Sequence, residues 1–138
     1  MMNIKLEKLK SDFLLFDNQL DKFEYLIEIG KNNKGISKEL KTNENLIIGC
    51  ASKSWVVCHK KQNLFFIDID SEAHIVRGLL SILQDVVNSK NSAEIASIDG
   101  MKILKEIGIG NSITSQRMNG FLSALETIKS LVVKYERN

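Results

Sequence analysis

The feature that most constrains this chain is a pair of strand-like runs set side by side among helical ones. Residues 54–59 and 64–69 are rich in Val, Ile, Phe and Trp, and the polar residues 60–63 between them supply a hairpin turn. Cys58 falls inside the first run, where a small buried hydrophobe is its expected role. The short apolar run Leu46-Ile47-Ile48, just upstream, reads as a further edge strand. Strands grouped in this way, with helices before and after, point to an α+β fold in which helices pack on a small three-stranded antiparallel sheet.

The flanking helices are written in apolar spacing. Leu6, Leu9 and Phe13 repeat at helical intervals, as do Leu20, Phe23 and Ile27, with Asp17 or Asn18 a cap for the second helix and Gly30 its stop. Residues 31–45 are polar and loop-like, with a single turn around residues 37–40. Ile75, Leu79, Ile82, Leu83 and Val86 form the stripe of a longer helix capped by Asp70 or Ser71. Ser92 caps a short helix through Ile95 and Ile98, and another spans residues 101–107 and ends at Gly108 and Gly110. The last helix starts near Ser115 and buries Met118, Phe121, Leu122, Leu125, Ile128 and Val132. No internal repeat or linker divides residues 1–138, so a single domain is expected.

Charge and composition exclude several classes. The 19 basic and 17 acidic residues give a net charge of +2 and are interspersed, and the densest basic cluster is Lys60-Lys61 at the hairpin tip. Nucleic-acid binders concentrate basic residues on a stripe or face, so no nucleic-acid partner is expected. No apolar run approaches the ~18 residues of a spanning helix, and residues 1–10 lack the apolar stretch of a secretory signal. A cytoplasmic protein without a membrane partner is the expectation.

Two cysteines in such a chain do not make a disulfide framework, and they fall short of the ligand set of a structural zinc site. Cys58 and His59 are adjacent in a strand, so their side chains point to opposite faces and would not share a metal. His59 and His74 read as surface or boundary residues. Cys50 is different. It follows Gly49 on a short connection before the hairpin, where a thiol is presented as a nucleophile, a metal ligand or a sulfur carrier.

Around Cys50 the residues resemble a known family. Asn45-Leu46-Ile47-Ile48-Gly49-Cys50-Ala51-Ser52-Lys53-Ser54-Trp55 resembles the SufE signature, in which Asn, Gly-Cys, Ser and Trp recur at these spacings. Asp70-Ser71-Glu72-Ala73-His74-Ile75-Val76-Arg77-Gly78-Leu79-Leu80 is similar to its second block, and Ser115-Gln116-Arg117-Met118-Asn119-Gly120-Phe121 to its third. The later half of Tyr25-Leu26-Ile27-Glu28-Ile29-Gly30-Lys31 matches an early stretch. These blocks lie in order over roughly residues 16–133. The chain departs from the pattern at Ile48 (commonly Pro), Ala51 (Gln), Ser54 (Val), Glu72 (Asp) and Phe121 (Leu).

The resemblance implies a sulfur acceptor rather than an independent enzyme. Such a protein binds a SufS-like cysteine desulfurase, stimulates it, takes persulfide sulfur onto Cys50 and passes it to a SufBCD-like scaffold for iron–sulfur cluster assembly. The chain itself would need no cofactor, because pyridoxal phosphate belongs to the desulfurase. It would be a monomer or a homodimer. Gly49, Ser52, Trp55, Asp70, Glu72, Arg77, Arg117 and Asn119 are the candidates for shaping the Cys50 loop or meeting the partner. Trp55 is expected as a core anchor under the loop. Asp70 and Glu72 are expected at a helix N-terminus, and Arg117 is expected to face the desulfurase or favour the thiolate, unless it is held in a salt bridge. Asn119 is expected to hydrogen-bond the loop, with Gly78 and Gly120 packed against it. Lys53 would lower the thiol pKa if it came near. An IscU-like iron–sulfur or zinc scaffold is the alternative; it asks for more ligands than Cys50 offers. A protein-binding regulator in which Cys50 is incidental, and a thiol hydrolase lacking a placed histidine, stand behind it.

Overall fold

The structure is a computed structural model and describes residues 4–109 and 113–137. Helices α1 (Ile4–Leu14) and α2 (Gln19–Asn32) lead through two single-turn 3-10 helices, Lys38–Leu40 and Asn43–Asn45, to strands β1 (Ser54–Lys61) and β2 (Leu64–Ser71). Helices α3 (His74–Val87), α4 (Ser92–Ala96), α5 (Gly100–Glu106) and α6 (Ser115–Arg137) follow. The α+β class is as expected, and the order of its helices is too.

The sheet has two strands, not three. β1 and β2 pair antiparallel from Ser54↔Ser71 to Lys61↔Leu64, turning through Gln62 at a φ of 59°. The run at Leu46-Ile47-Ile48 contributes only one isolated bridge, Leu46↔Trp55, with Ile47 N–H donating to Ser54 C=O at 2.8 Å. Ile47 turns into the core, Ile48 stands 79% exposed, and Gly49 then takes a φ of 99°, which bends the chain away before a ladder can form. On the far side of β2, side chains of α3 and the residue after it stand in for a strand. Asn88 Oδ1 accepts Ile67 N–H at 2.8 Å and Gln84 Nε2 donates to Ile67 C=O at 2.9 Å. That edge is therefore closed to further pairing there.

The inner face of the hairpin, Val56, Cys58, Phe65, Ile67 and Ile69, lies against α3, which is buried on more than one side. Its expected stripe is widened by Leu80 and Val87, because α2 packs on one flank and α6 on another. The approach to α2 is close enough to exclude side chains. A Cβ on Gly30 would lie 2.6 Å from His74 C=O, and one on Gly78 would run into the Leu26 carbonyl. Gly30 is thus not a helix stop; α2 continues to Asn32, and the glycine is there for proximity. Gly78 likewise packs on α2, not on the Cys50 loop. Asn33, just past the end of α2, ties the pair together by donating to Ser81 Oγ at 2.9 Å and Gln84 Oε1 at 2.8 Å.

Helix ends were partly as expected. Asn18 caps α2 by accepting Asp21 N–H at 2.9 Å. Asp70 and Ser71 do not cap α3, because the strand runs through both of them and the N-cap is Ala73. The cap of α4 is Asn91, one residue before Ser92, in a reciprocal pair with Glu94, and Ile98 lies past its end. Asp99 caps α5. Gly108 takes a φ of 78° after α5, whereas Gly110 lies outside the described residues.

Asp70 is the main buried charge. It accepts from Ile36 N–H at 3.0 Å and Ser71 N–H at 2.8 Å, with Lys41 Nζ at 3.2 Å and Arg77 Nε at 3.5 Å. Burial opposes its ionisation, but these donors outweigh burial and hold the carboxyl below its ordinary value. The guanidinium of Arg77 also donates to Asn33 C=O, so strand, loop and helix meet at one carboxylate.

Two outcomes follow from this packing. Gly78→Ala is expected to lower stability by about 2 kcal/mol in denaturant melts, since overpacking against a fixed backbone exceeds the helix-propensity gain of about 1 kcal/mol. Asp70→Asn is expected to cost about 3 kcal/mol near neutral pH, the scale for breaking a buried ion pair. Because the folded-state pKa of Asp70 is depressed, its contribution is present above the unfolded value of about 3.9 and fades as pH falls through the lower folded value. Stability measured against pH is therefore expected to fall less steeply on the acid side for Asp70→Asn than for wild type.

Candidate functional site

Cys50 sits on the turn between the Leu46 bridge and β1, half-buried, with its thiol turned toward α6. The turn is seated through two glycines. Gly49 needs its left-handed backbone, and a Cβ there would lie 2.8 Å from Ser123 Oγ on α6. Gly120, also on α6, leaves room for the sulfur: a Cβ would stand 3.3 Å from Cys50 Sγ. The thiol donates weakly to Gly120 C=O at 3.6 Å. Gly120 within a helix thus has the packing role expected of it, against the Cys50 loop.

A cavity of about 120 Å³ opens beside the sulfur. Ala51 and Ser52 line it from the turn, and α3 contributes Val76, Leu79 and Leu80. Arg117, Gly120 and Phe121 of α6 close it. The walls combine apolar side chains with the polar groups of Ser52 and Gln116 and one cation, Arg117. Burial raises the Cys50 pKa, and the nearby Ser54 hydroxyl acts in the opposite direction. The seated thiol is therefore mostly protonated at neutral pH, and a protonated thiol is a poor nucleophile. Chemistry at this sulfur calls for the loop to move or for a charge to come near.

Cys58 is 6% exposed in the core, and burial pushes its thiol up to about 11, the mark of an inert structural cysteine. His59, on the opposite face, lies 2.8 Å from Asp68, and both it and His74 are exposed. Among the described residues no group of three or more His, Cys, Asp or Glu is arranged to hold a metal ion.

The other candidates separate into two sets. Ser52 and Arg117 share the Cys50 cavity. Arg117 is half-buried in the first turn of α6, where Thr114 Oγ1 accepts its N–H at 3.2 Å, and its side chain has no ion pair among the described residues. Trp55 is buried but lies outside the main core cluster, with Lys41 Nζ 5.4 Å from its ring centre, so it is not the core anchor the sequence suggests. Asp70 and Arg77 are joined to each other and to residues 33–41, away from the sulfur. Glu72 is exposed in the bend before α3, and its N–H donates to Lys53 C=O at 3.0 Å, tying that bend to the end of the Cys50 turn. Asn119 is exposed and makes no hydrogen bond to the loop among the described residues. Lys53 is exposed as well. Ser54 and Ser71, whose hydroxyls meet at 2.9 Å where the two strands pair, carry little site signal in the sequence. Their only sequence signal was a hydroxyl at 54 where the resembled signature carries Val.

Comparison with known proteins agrees with this arrangement. The family model described as SufE, the Fe-S metabolism associated domain, matches residues 7–132. An uncharacterized SufE-like protein of Rhizobium etli is 36% identical over 128 residues, covering 90% of this chain and 86% of that protein. The sulfur acceptor protein CsdE of Escherichia coli is 31% identical over 125 residues, covering 88% and 84%. The solution structure of a hypothetical protein from Thermus thermophilus superposes over 100% of both chains with a TM-score of 0.78 at 14% identity, a likeness of fold. The chain belongs to the SufE family.

Proposed function

We propose that this protein is a sulfur acceptor in iron–sulfur metabolism, taking sulfane sulfur onto Cys50 from a cysteine desulfurase. The observation that carries this reading is the Cys50 thiol itself, on a glycine-hinged turn at the mouth of a cavity, in a chain of the SufE family. The relative named as a sulfur acceptor supports the same role. In the transfer, the Cys50 thiolate attacks the terminal sulfur of the desulfurase persulfide. A new S–S bond forms on Cys50, the desulfurase S–S bond breaks, and its cysteine leaves as a thiolate. No net oxidant or reductant is needed, as in thiol–disulfide exchange.

The seated geometry suits a carrier that waits. Burial keeps the thiol protonated and out of reach, slowing oxidation beyond the sulfenic stage. Gly49 and the single-bridge attachment of residues 46–47 leave the turn light to lift. Exposed Ile48 beside Gly49 gives a partner an apolar handhold at the rim, and Arg117 offers a positive charge to the attacking sulfur. Pyridoxal phosphate would remain with the desulfurase, and a SufBCD-like scaffold would receive the sulfur.

Incubation with a cysteine desulfurase and free cysteine is expected to add sulfur mass to the Cys50 peptide, with none on the Cys58 peptide; label confined to Cys58 would sink the reading. Without a desulfurase, Cys50 is expected to be alkylated by iodoacetamide more slowly at neutral pH than an unfolded cysteine peptide. Its rate should climb with pH past the ordinary thiol range, since the folded pKa is raised. A rate matching the free peptide would show that the thiol is not stowed.

A further inference from the structure

Trp55 and Asp70 are paired across the ladder, so their side chains leave the sheet on one face, opposite that of Val56 and Ile69. The limb of chain that leads to Cys50 is laid over them. Ile36 N–H donates to Asp70 Oδ2 at 3.0 Å, and Lys41 Nζ stands 3.2 Å from the same oxygen and 5.4 Å from the Trp55 ring centre. Leu46 then makes its bridge to Trp55. Gly35, at a φ of 73°, lets the limb come down, because a Cβ there would run into the Asp70 carboxylate. Arg77 braces that carboxylate from α3 and donates to Asn33 C=O, where the limb begins.

Ile36 and Trp55 are each 8% exposed, yet neither belongs to the main core cluster, which takes in Ile47 and Cys58. They form a satellite layer under the limb. Residues 37–44, between Ile36 and Ile47, are exposed. Few buried apolar contacts and exposed backbone mark a segment that opens at lower free energy than the whole fold. At the far end only the Leu46 bridge and the bond from Ile47 N–H to Ser54 C=O precede the turn. The stronger hold is therefore the charged one, at Asp70.

Resting on the reading of Cys50 as the acceptor, we propose that Asp70 is a positioning residue for sulfur transfer: through Ile36 and Lys41 it holds residues 33–47 down and so keeps the Cys50 turn seated on α6. Release of this hold lifts the limb as a unit and lets the turn leave Gly120 while the core stays closed. A partner that loads Cys50 works against the hold, and the carboxylate sets how much of the protein shows its thiol unprompted. Lys41 is the outermost member of the cluster, its side chain 34% exposed against 21% for Arg77 and 6% for Asp70. Its cation can therefore be removed without emptying a buried site.

The test is labelling of the intact protein with a bulky maleimide, read on the Cys50 and Cys58 peptides by mass spectrometry. Cys58 belongs to the core cluster, so its rate measures global unfolding and is the internal control. Asp70→Asn is expected to raise the Cys50 rate about tenfold, the scale of one hydrogen bond to a charged group. That increment should stand well above the Cys58 rate of the same variant. Lys41→Met should move Cys50 in the same direction by less, with no matching rise at Cys58. Lys41→Arg keeps the charge and should label as wild type does. An unchanged Cys50 rate in Asp70→Asn overturns the proposal, as does an increment no larger than the Cys58 rate, which global unfolding alone would give. An Arg variant that labels like Met overturns it too. Should Asp70→Asn fail to fold, an unchanged Cys50 rate in Lys41→Met overturns it. No desulfurase enters the measurement, so failure of sulfur loading and failure of this proposal remain distinguishable.

Discussion

The close approach of α2 and α3 is the constraint on which the rest of the molecule is hung. With Gly30 and Gly78 at the crossing, the two backbones come nearer than any side chain would allow. Asn33 can then reach Ser81 and Gln84, and Gln84 is placed to close the edge of β2. One flank of α3 being so tightly covered, its other faces are free to hold the hairpin and the start of α6. The cavity beside Cys50 lies where α3 and α6 meet the turn before β1, so the geometry of the candidate site is set by packing that begins on the opposite flank of α3.

A two-stranded sheet needs help to persist in water, and here the help comes from side chains and helices instead of a third strand. Asn88 and Gln84 satisfy Ile67 on one edge, while Tyr135 of α6 donates to Cys58 C=O at 2.8 Å on the other strand. The residues that an ordinary edge strand would occupy, 46–48, make a single bridge and turn away at Gly49. A segment fully laddered into the sheet would be held by several backbone bonds. One attached by a bridge can be moved at small cost, which is the property a thiol-bearing turn requires if its sulfur is to be both stowed and delivered.

Much of this was legible in residue order. The hairpin, the buried Cys58 opposite an exposed His59, the Asn18 cap and the stripe of α6 follow from period and residue type, because each depends on neighbours within a few positions. The misreadings share a cause. Gly30 has the local look of a helix end, yet it is a contact glycine whose reason lies on α3. Asp70 and Ser71 have the look of caps, yet the ladder with Trp55 and Ser54 holds both in strand conformation. Ser92 was displaced by Asn91, one position upstream, because Glu94 completes the reciprocal cap only with Asn91. Arg77 was grouped with the sulfur loop by position in a motif, whereas its charge is consumed by Asp70 and Asn33.

By itself the sequence determined the class of fold, the order of its helices, and which of two cysteines stands on a connection with a glycine before it. Those depend on apolar periodicity, turn chemistry and motif spacing, all properties of the unfolded chain as written. Only the tertiary structure decided that Gly120 and Ser123 of α6 seat the turn, that Arg117 shares the cavity while Arg77 does not, and that the hydroxyls of Ser54 and Ser71 meet. Each of these joins residues far apart in the chain, at distances set by how helices and strands pack, and no local pattern records such a distance.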